Sequence, residues 1–385
     1  MRWACDGVGR KRMGQKRLGQ KRLGPKGFAP VMRRRHEAAR RPGGQARPAL
    51  PAQVLVPMPA QVLALLPALI LALMLTAGPA AAAVNETAIT GPKPPRTLSE
   101  FGFFSDLARL RPDPAMVPFA PASPLFSDHA EKARLIYSPA PAPLAANGLL
   151  DFPVGSALVK TFHYGARKVE TRVLLRRADG WAAYPYLWND EGTEAVLKLA
   201  GKTLDLDTPQ GPVRYRVPNM NQCKACHVDA AGRLQPIGPK LRNLNHGDQL
   251  ARLVAAGVLA EAPQDAPATP DYRDTGQPLT ARARAYLDAN CGHCHAPGLP
   301  ADTSGLYLNW EETRPIHLGV NKKPVAAGRG SGGHLVDIAP GEPDRSILIF
   351  RMESTDPGIM MPELGRSVPD PEGIALLRAW IAAME

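Results

Sequence analysis

Short runs of apolar and β-branched residues fill the segment from 98 to 217, and such runs predict β-strands. They read SALVKTFHY, KVETRVLLRR, WAAYPYLW, AVLKLA and PVRYRV. The turn signal ADG at 178–180 separates the second run from the third. Several strands joined by turns predict a β-rich, sandwich-like domain over 98–217. The Pro/Thr-rich residues 84–97 that precede it predict a flexible lead.

Helical periodicity occurs later in the chain. Apolar positions predict a helix from about 247 to 256, which stops at Gly257. Thr280 is the predicted N-cap of a second helix over about 280–290. Asp370 opens a third helix over about 371–384, with a proline at its first position. One apolar face supports this third helix, formed by Ile374, Leu377 and Ile381.

The formal charge of the 385-residue chain is +12, which by itself indicates a nucleic-acid or membrane-surface binder. The charge is spread unevenly. Residues 1–83 hold 15 of the 47 Lys and Arg but only two of the 35 acidic residues, so 84–385 carries a formal charge of −1. The basic character therefore belongs to the front end, and we expect no nucleic-acid partner.

The front end, residues 1–83, has the features of a signal or targeting region. Residues 62–77 are apolar, but they are short and contain Pro67, which disfavours a membrane span. Small residues follow, and they make Val84 the expected first residue of the mature protein. A retained anchor helix is the alternative. In both cases we expect export to the periplasm, with membrane contact only through this region.

The basic stretch upstream of the apolar segment is longer than a signal peptide needs. It contains the near-repeat GQKRLGQKRLGPK, which is typical of upstream sequence that has been read through. Met32 and Met58 are therefore alternative start positions.

Two copies of the sequence C-x-x-C-H lie in the chain, at 223–227 and 291–295. This is the spacing of covalent heme attachment. Two thiols three positions apart add to the two vinyl groups of a heme, and the histidine that follows then lies beneath the iron. We therefore predict two heme c groups. Their thioether residues are Cys223, Cys226, Cys291 and Cys294, and their axial histidines are His227 and His295.

Structural zinc and disulfides are the competing interpretations. A four-cysteine zinc site has its two pairs about 15–20 residues apart, whereas 64 residues lie between Cys226 and Cys291. Removal of the front end would remove Cys5 and leave four cysteines. Two disulfides are the usual fate of four cysteines in an oxidising compartment, so both alternatives stay open at this point.

The segment 272–385 contains, in order, a helix, the second motif, a methionine loop and a terminal helix, which predicts a class-I cytochrome c-like domain. In the loop GIMMPELG, Met361 directly precedes a proline and is the predicted sixth ligand of the second heme, with Met360 as the fallback. A Met/His pair raises the reduction potential relative to two histidines. For the first heme the preferred candidate is His246, at a helix start, and the alternatives are Met220, Met352, His129, His163 or an iron without a sixth protein ligand.

The Pro/Ala-rich residues 263–271 predict a linker between this domain and a first heme segment, 218–262. That segment is too short to bury a heme alone, so we expect the β-rich domain or the last domain to shelter it. The predicted fold class is α+β multidomain, with a β-rich N-terminal domain followed by mostly α, cytochrome c-like heme domains.

Six blocks of sequence together resemble a family of bacterial diheme c-type cytochromes. They are PLFSDHAEKARLIYSP, YLWNDEGTEAVL, VPNMNQCKACH, PIGPKLRNLN, RARAYLDANCGHCHAPG and SILIFRMESTDPGIMMPELGR. The resemblance runs from about residue 96 to the C-terminus. It implies electron transfer in a respiratory chain, with both motifs as heme c sites and Met361 as a ligand. The middle and last blocks are also similar to cytochrome modules found beside periplasmic sugar-type dehydrogenases.

The expected function is transfer of single electrons between periplasmic redox proteins, such as a dehydrogenase and an oxidase or another cytochrome. The alternative is a peroxidase-like diheme enzyme with one open iron. The two motifs begin only 68 residues apart, which is short for two full heme domains of that kind. The sequence therefore favours an electron-transfer protein over a catalyst.

Overall fold

A computed structural model describes residues 83–385 of the chain. Its β-strands form one six-stranded sheet and two two-stranded sheets, all antiparallel. The strands are β1 (Phe104–Asp106), β2 (Arg111–Pro112), β3 (Val117–Pro118), β4 (Glu131–Tyr137), β5 (Ala157–Tyr164), β6 (Arg167–Arg177), β7 (Gly180–Trp188), β8 (Ala195–Leu197), β9 (Lys202–Thr208) and β10 (Gly211–Val217).

The six-stranded sheet, called the main sheet below, has the order β3-β4-β5-β6-β7-β8, so each strand pairs with its neighbour in sequence. The five strand-like runs of the sequence are confirmed as β5, β6, β7, β8 and β10. The ADG turn is also confirmed, because Arg177 pairs with Gly180 across the β6–β7 connection.

The expectation of a sandwich was wrong. One face of the main sheet packs against the segment that precedes it, which includes the fully buried Ile89, Phe101 and Phe103. The opposite face packs against helical residues that follow it, such as Leu244 and Leu253. Both faces are therefore covered by segments outside the sheet, which explains why the strands lack a clean apolar–polar alternation.

The helices are α1 (Glu86–Thr90), α2 (Met220–Cys223), α3 (Leu241–Leu244), α4 (Gln249–Ala255), α5 (Leu279–Leu287), α6 (Ile347–Glu353) and α7 (Pro371–Ala382). Helix takes about 22% and strand about 23% of the described residues, so the prediction of mostly α, cytochrome c-like domains was wrong. The physical reason lies between α5 and α6. This stretch is rich in proline and glycine, the two residues least favourable in helix interiors, and it forms turns and short 3-10 segments instead.

The helices α4 and α7 match the predicted ones. The Asp370 carboxylate caps α7 by accepting a hydrogen bond from the Gly373 N–H at 3.2 Å, and Pro371 follows as its first residue. The predicted cap of α5 was wrong, because Pro278 holds the N-cap position and Thr280 lies inside the helix. Pro278 has no side-chain acceptor, so α5 begins without a side-chain cap.

The start of the described chain differs from the flexible lead expected over 84–97. Asn85 caps α1 by accepting a hydrogen bond from the Ala88 N–H, and Ile89 of that helix is fully buried against the main sheet. Among residues 83–385, no helix is long and apolar enough to cross a bilayer. The predicted apolar segment 62–77 lies outside the described residues.

The apolar cores show how the segments depend on one another. The core built around α5 and α7 draws all its members from residues 272–384. The segment 218–262 shares its core with the main sheet, where Leu241 and Leu253 meet Leu158 and Leu174. The first motif is therefore held against the sheet, and the second lies in a core of its own.

Candidate functional site

The first C-x-x-C-H motif begins at the end of α2. A capping box starts this short helix, in which Asn219 and Gln222 each accept from the other's backbone N–H. After Cys223 the chain turns, and the His227 N–H donates to the Cys223 carbonyl at 2.9 Å. The His227 Nδ1 lies 3.1 Å from the carbonyl oxygen of Gln235. A carbonyl partner requires a proton on Nδ1, so the lone pair of this imidazole is on Nε2.

The second motif repeats this arrangement. A π-helical turn, Asp288–Gly292, extends α5 into the motif, and the His295 N–H donates to the Cys291 carbonyl at 2.9 Å. The His295 Nδ1 lies 3.2 Å from the Leu306 carbonyl oxygen. Gly292 is required by packing, because a β-carbon there would lie 2.9 Å from the Asn309 Cα. Local π-helical turns are frequent at functional sites.

Both imidazoles are neutral near pH 7. Burial disfavours the charged ring and lowers the pKa of His227 to about 4, and the pKa of His295 to about 4 for the same reason. A neutral imidazole with a free Nε2 is the form that binds a metal.

Two adjoining cavities contain the motifs. The first cavity, of about 230 Å³, is lined by Cys223, Cys226 and His227. The second cavity, of about 380 Å³, is lined by Cys291, Cys294 and His295, together with Cys226 of the first motif. The second falls in the range of roughly 300–1,000 Å³ found for ligand and cofactor sites.

The two cavities share a wall. Residues that line both include Cys226, Tyr286, His293, Met352 and Met361. The loop that carries Met361 is fixed through its backbone. Its N–H donates to the Arg351 carbonyl at 3.0 Å, and its carbonyl accepts from the Arg366 Nη2 at 2.8 Å.

The candidate sixth ligands separate into two groups. Met361 and Met352 line the cavities, whereas Met360 is buried outside both. His246 is exposed, lines neither cavity, and hydrogen-bonds through Nε2 to the Ala120 carbonyl at 2.8 Å. The structure thus places Met352 and Met361, and not His246, beside the two motifs.

The cysteines of the two motifs meet in the fold. The Sγ atoms of Cys226 and Cys294 and one ring nitrogen of His293 lie within 4.8 Å of one another. Within the described residues this group has three members, one fewer than the four ligands of a structural zinc site. All four described cysteines are free thiols. Three protein ligands with an open fourth position also occur in zinc sites, and neighbouring thiols can pair, so the zinc and disulfide interpretations stay open.

The residues around each cavity fit a heme. A porphyrin needs an apolar slot, an imidazole for its iron and thiols for its vinyl groups. The second cavity supplies apolar walls from Leu306, Leu308, Ile338 and Leu348. The first cavity supplies them from Leu158, Leu174, Ile237 and Leu364. The side chains of the main sheet thus shelter the first motif.

Several positioning residues were not predicted from the sequence. Asn290, directly before Cys291, is buried; it accepts from the Phe126 N–H at 2.8 Å and donates to the Tyr286 carbonyl at 3.0 Å. Arg366 is buried and directs its donors at backbone carbonyls around Met361. The sequence does place an amide, Asn290, beside the second motif and an arginine, Arg366, after the methionine loop. It does not show which groups these two side chains bind.

Comparison with protein-family models, with curated proteins and with solved structures gave no match for this chain.

Proposed function

We propose that the protein is an exported, periplasmic diheme c-type cytochrome that transfers single electrons between redox partners. One observation carries this proposal. Each C-x-x-C-H motif lines its own cavity and presents a neutral histidine whose Nδ1 is bonded to a backbone carbonyl. In both motifs this hydrogen bond leaves the lone pair of the histidine Nε2 available to bind a metal.

Heme c at each motif would supply one-electron redox chemistry. The chain supplies the rest. Cys223 and Cys226 would hold one group and Cys291 and Cys294 the other, and His227 and His295 would bind the two irons. The Met361 sulfur is the proposed second ligand of the second iron, and the bonds from Arg351 and Arg366 keep its backbone in place.

The two attachment sites are neighbours, because Cys226 and Cys294 lie in the same three-residue group. Both groups would therefore be held side by side, as electron transfer within one chain requires. Val325 lines the second cavity and is 69% exposed. This cavity consequently reaches the surface, where a dehydrogenase, an oxidase or another cytochrome can dock.

The test is the intact mass of protein produced in a periplasm that attaches heme c. We expect two heme additions per chain, and one addition in a Cys223→Ser/Cys226→Ser variant. A wild-type chain without covalent heme would contradict the proposal. Sequencing of the exported N-terminus should begin at Val84, which tests the proposed localisation separately.

Carbon monoxide separates this function from the enzyme alternative. The reduced protein should not bind carbon monoxide if both irons have two protein ligands. Binding at one iron would instead favour a peroxidase-like enzyme.

A further inference from the structure

Three cationic side chains form a row across the main sheet. Arg134 on β4 is paired with Lys160 on β5, and Lys160 is paired with Arg172 on β6. All three line the first cavity. Like charges directly opposite one another on neighbouring strands repel, so this row lowers the stability of the sheet unless an anion lies beside it.

The chain itself neutralises only one end of the row. The Arg172 Nη2 contacts the Glu170 carboxylate at 2.5 Å, and Glu170 is fully buried. The Arg134 side chain has one hydrogen bond within the described chain, to the Lys132 carbonyl at 3.3 Å. Over residues 83–385, the Lys160 side chain has neither a hydrogen bond nor an ion pair, and its ammonium lies 4.7 Å from the centre of the Phe162 ring.

The other carboxylates around the first cavity either have hydrogen-bond partners already or are exposed to solvent. Asp288 accepts from Arg242 at 2.7 Å, and Asp370 accepts from Tyr286 and from the Gly373 N–H. Glu363 is exposed. Burial, together with the neighbouring Arg134 and Lys132, lowers the pKa of Lys160 well below its ordinary value. Its charged form therefore needs an anionic partner.

The row runs away from the cysteines. α2, which ends at Cys223, contacts β7, and Cys223 packs on the same face of the sheet as Leu174 and Ala183. From β7 the cations follow on β6, β5 and β4. Since neighbouring strands are about 4.8 Å apart, the unmatched Lys160 and Arg134 lie roughly 5 and 10 Å beyond Arg172.

We propose that Lys160 and Arg134 bind the two carboxylates of the heme attached to Cys223 and Cys226. A heme carries its thioethers at one edge and its carboxylates at the opposite edge, which matches the direction of the row. Arginine forms paired, charge-assisted hydrogen bonds with carboxylates, and lysine supplies a point charge. This inference rests on the proposed function. The same cations could recognise a diffusible organic acid, so the test includes both sources of carboxylate.

The experiment uses the holoprotein with its two hemes. Its intact mass is measured first, so that failure of the proposed function is recognised before any variant is interpreted. Arg134→Gln and Lys160→Gln are then compared with Arg176→Gln. Arg176 is the matched control, because it lies on β6, on the same face, but outside the cavity and bonded to the Phe152 carbonyl. The readouts are the two midpoint potentials and the heme-carboxylate bending band in resonance Raman spectra.

We expect Arg134→Gln and Lys160→Gln to lower the midpoint potential of the first heme, because loss of a positive charge stabilises the ferric state. The carboxylate band should shift in the same variants, with the second heme and Arg176→Gln unchanged. An unshifted band and an unchanged first potential would overturn the assignment. Saturable binding of succinate to the wild-type holoprotein, lost in Arg134→Gln, would also overturn it and would assign the row to a free acid.

Discussion

Gly373 lies against the ring of Tyr286 with no room for a β-carbon between them. This contact is the point at which α7 crosses α5. The Tyr286 hydroxyl donates to the Asp370 Oδ2 at 3.0 Å, while the other oxygen of that carboxylate caps α7 through the Gly373 N–H. One carboxylate thus fixes the start of α7 and its position on α5, directly before the second motif.

Gly373→Ala should therefore destabilise the protein. Alanine would gain up to about 1 kcal/mol of helix propensity, but overlap with a packed ring costs about 1–3 kcal/mol, so the overlap should prevail. Urea unfolding measures the difference. Gly276→Ala is the control, because it is exposed and its new β-carbon would approach only the flexible Asp274 carboxylate, at 3.2 Å. Equal stabilities of the two variants would contradict the crossing described here.

A buried ion pair connects the segment after the first motif to the helix of the second. The Arg242 Nη2 lies 2.7 Å from the Asp288 Oδ1, and both side chains are less than a tenth exposed. Arg242→Gln should cost about 3–5 kcal/mol of unfolding free energy, because it leaves a carboxylate buried without its cation. Arg233→Gln removes an exposed pair with Asp229 and should cost at most about 1 kcal/mol. A loss of at most about 1 kcal/mol in both variants would show that the Arg242–Asp288 ion pair does not stabilise the fold.

The adjacent methionines should behave differently. In the proposed diheme protein, Met361→Ala should remove the near-infrared sulfur-to-iron band and lower the potential of the second heme, because a thioether favours the ferrous state. Met360→Ala should leave both properties unchanged, since this side chain is buried outside the cavities. Spectroelectrochemical titration reads both quantities. The opposite pattern would show that the ligand is one residue earlier.

Lowering the pH should destabilise the folded protein, because it protonates Glu312. Its carboxylate accepts from Arg314 at 2.6 Å and from the Thr313 N–H at 3.0 Å, and the hydrogen bond from Arg314 is the main reason its pKa falls from 4.5 to about 2. A depressed folded-state pKa stabilises the protein above pH 4.5, and the gain is lost as pH falls towards 2.

Unfolding free energies measured from pH 5 to pH 2 should accordingly fall less steeply in Glu312→Gln than in the wild type. The exposed Glu261→Gln serves as the control and should keep the wild-type slope. Identical slopes in all three proteins would refute this role of Glu312.

Local signals in the sequence were sufficient for β5 to β8 of the main sheet and for α7, whereas β3 and β4 were not predicted. Runs of β-branched and apolar residues favour strands, and Asp370 followed by Pro371 marks a helix start. Both C-x-x-C-H motifs are likewise visible in the sequence, because their residues lie within five consecutive positions. These features depend on neighbours a few positions apart.

The remaining features depend on tertiary register. Arg134, Lys160 and Arg172 become a row only when three strands align, and nothing in any one strand shows that alignment. The meeting of Cys226 with Cys294 likewise joins segments far apart in sequence. The mostly α prediction failed because two well-marked helices were extended to a whole domain, although the proline and glycine between them prevent further helix.

The nearness of Cys226 and Cys294 has a consequence for biogenesis. In an oxidising compartment, neighbouring free thiols become disulfides, and a chain that folded first would hold these two sulfur atoms within 4.8 Å of one another. Such a cross-link would consume one attachment thiol from each motif at once. In the proposed function, both prosthetic groups must therefore be joined to the chain before it folds, and the order of maturation is set by the native structure itself.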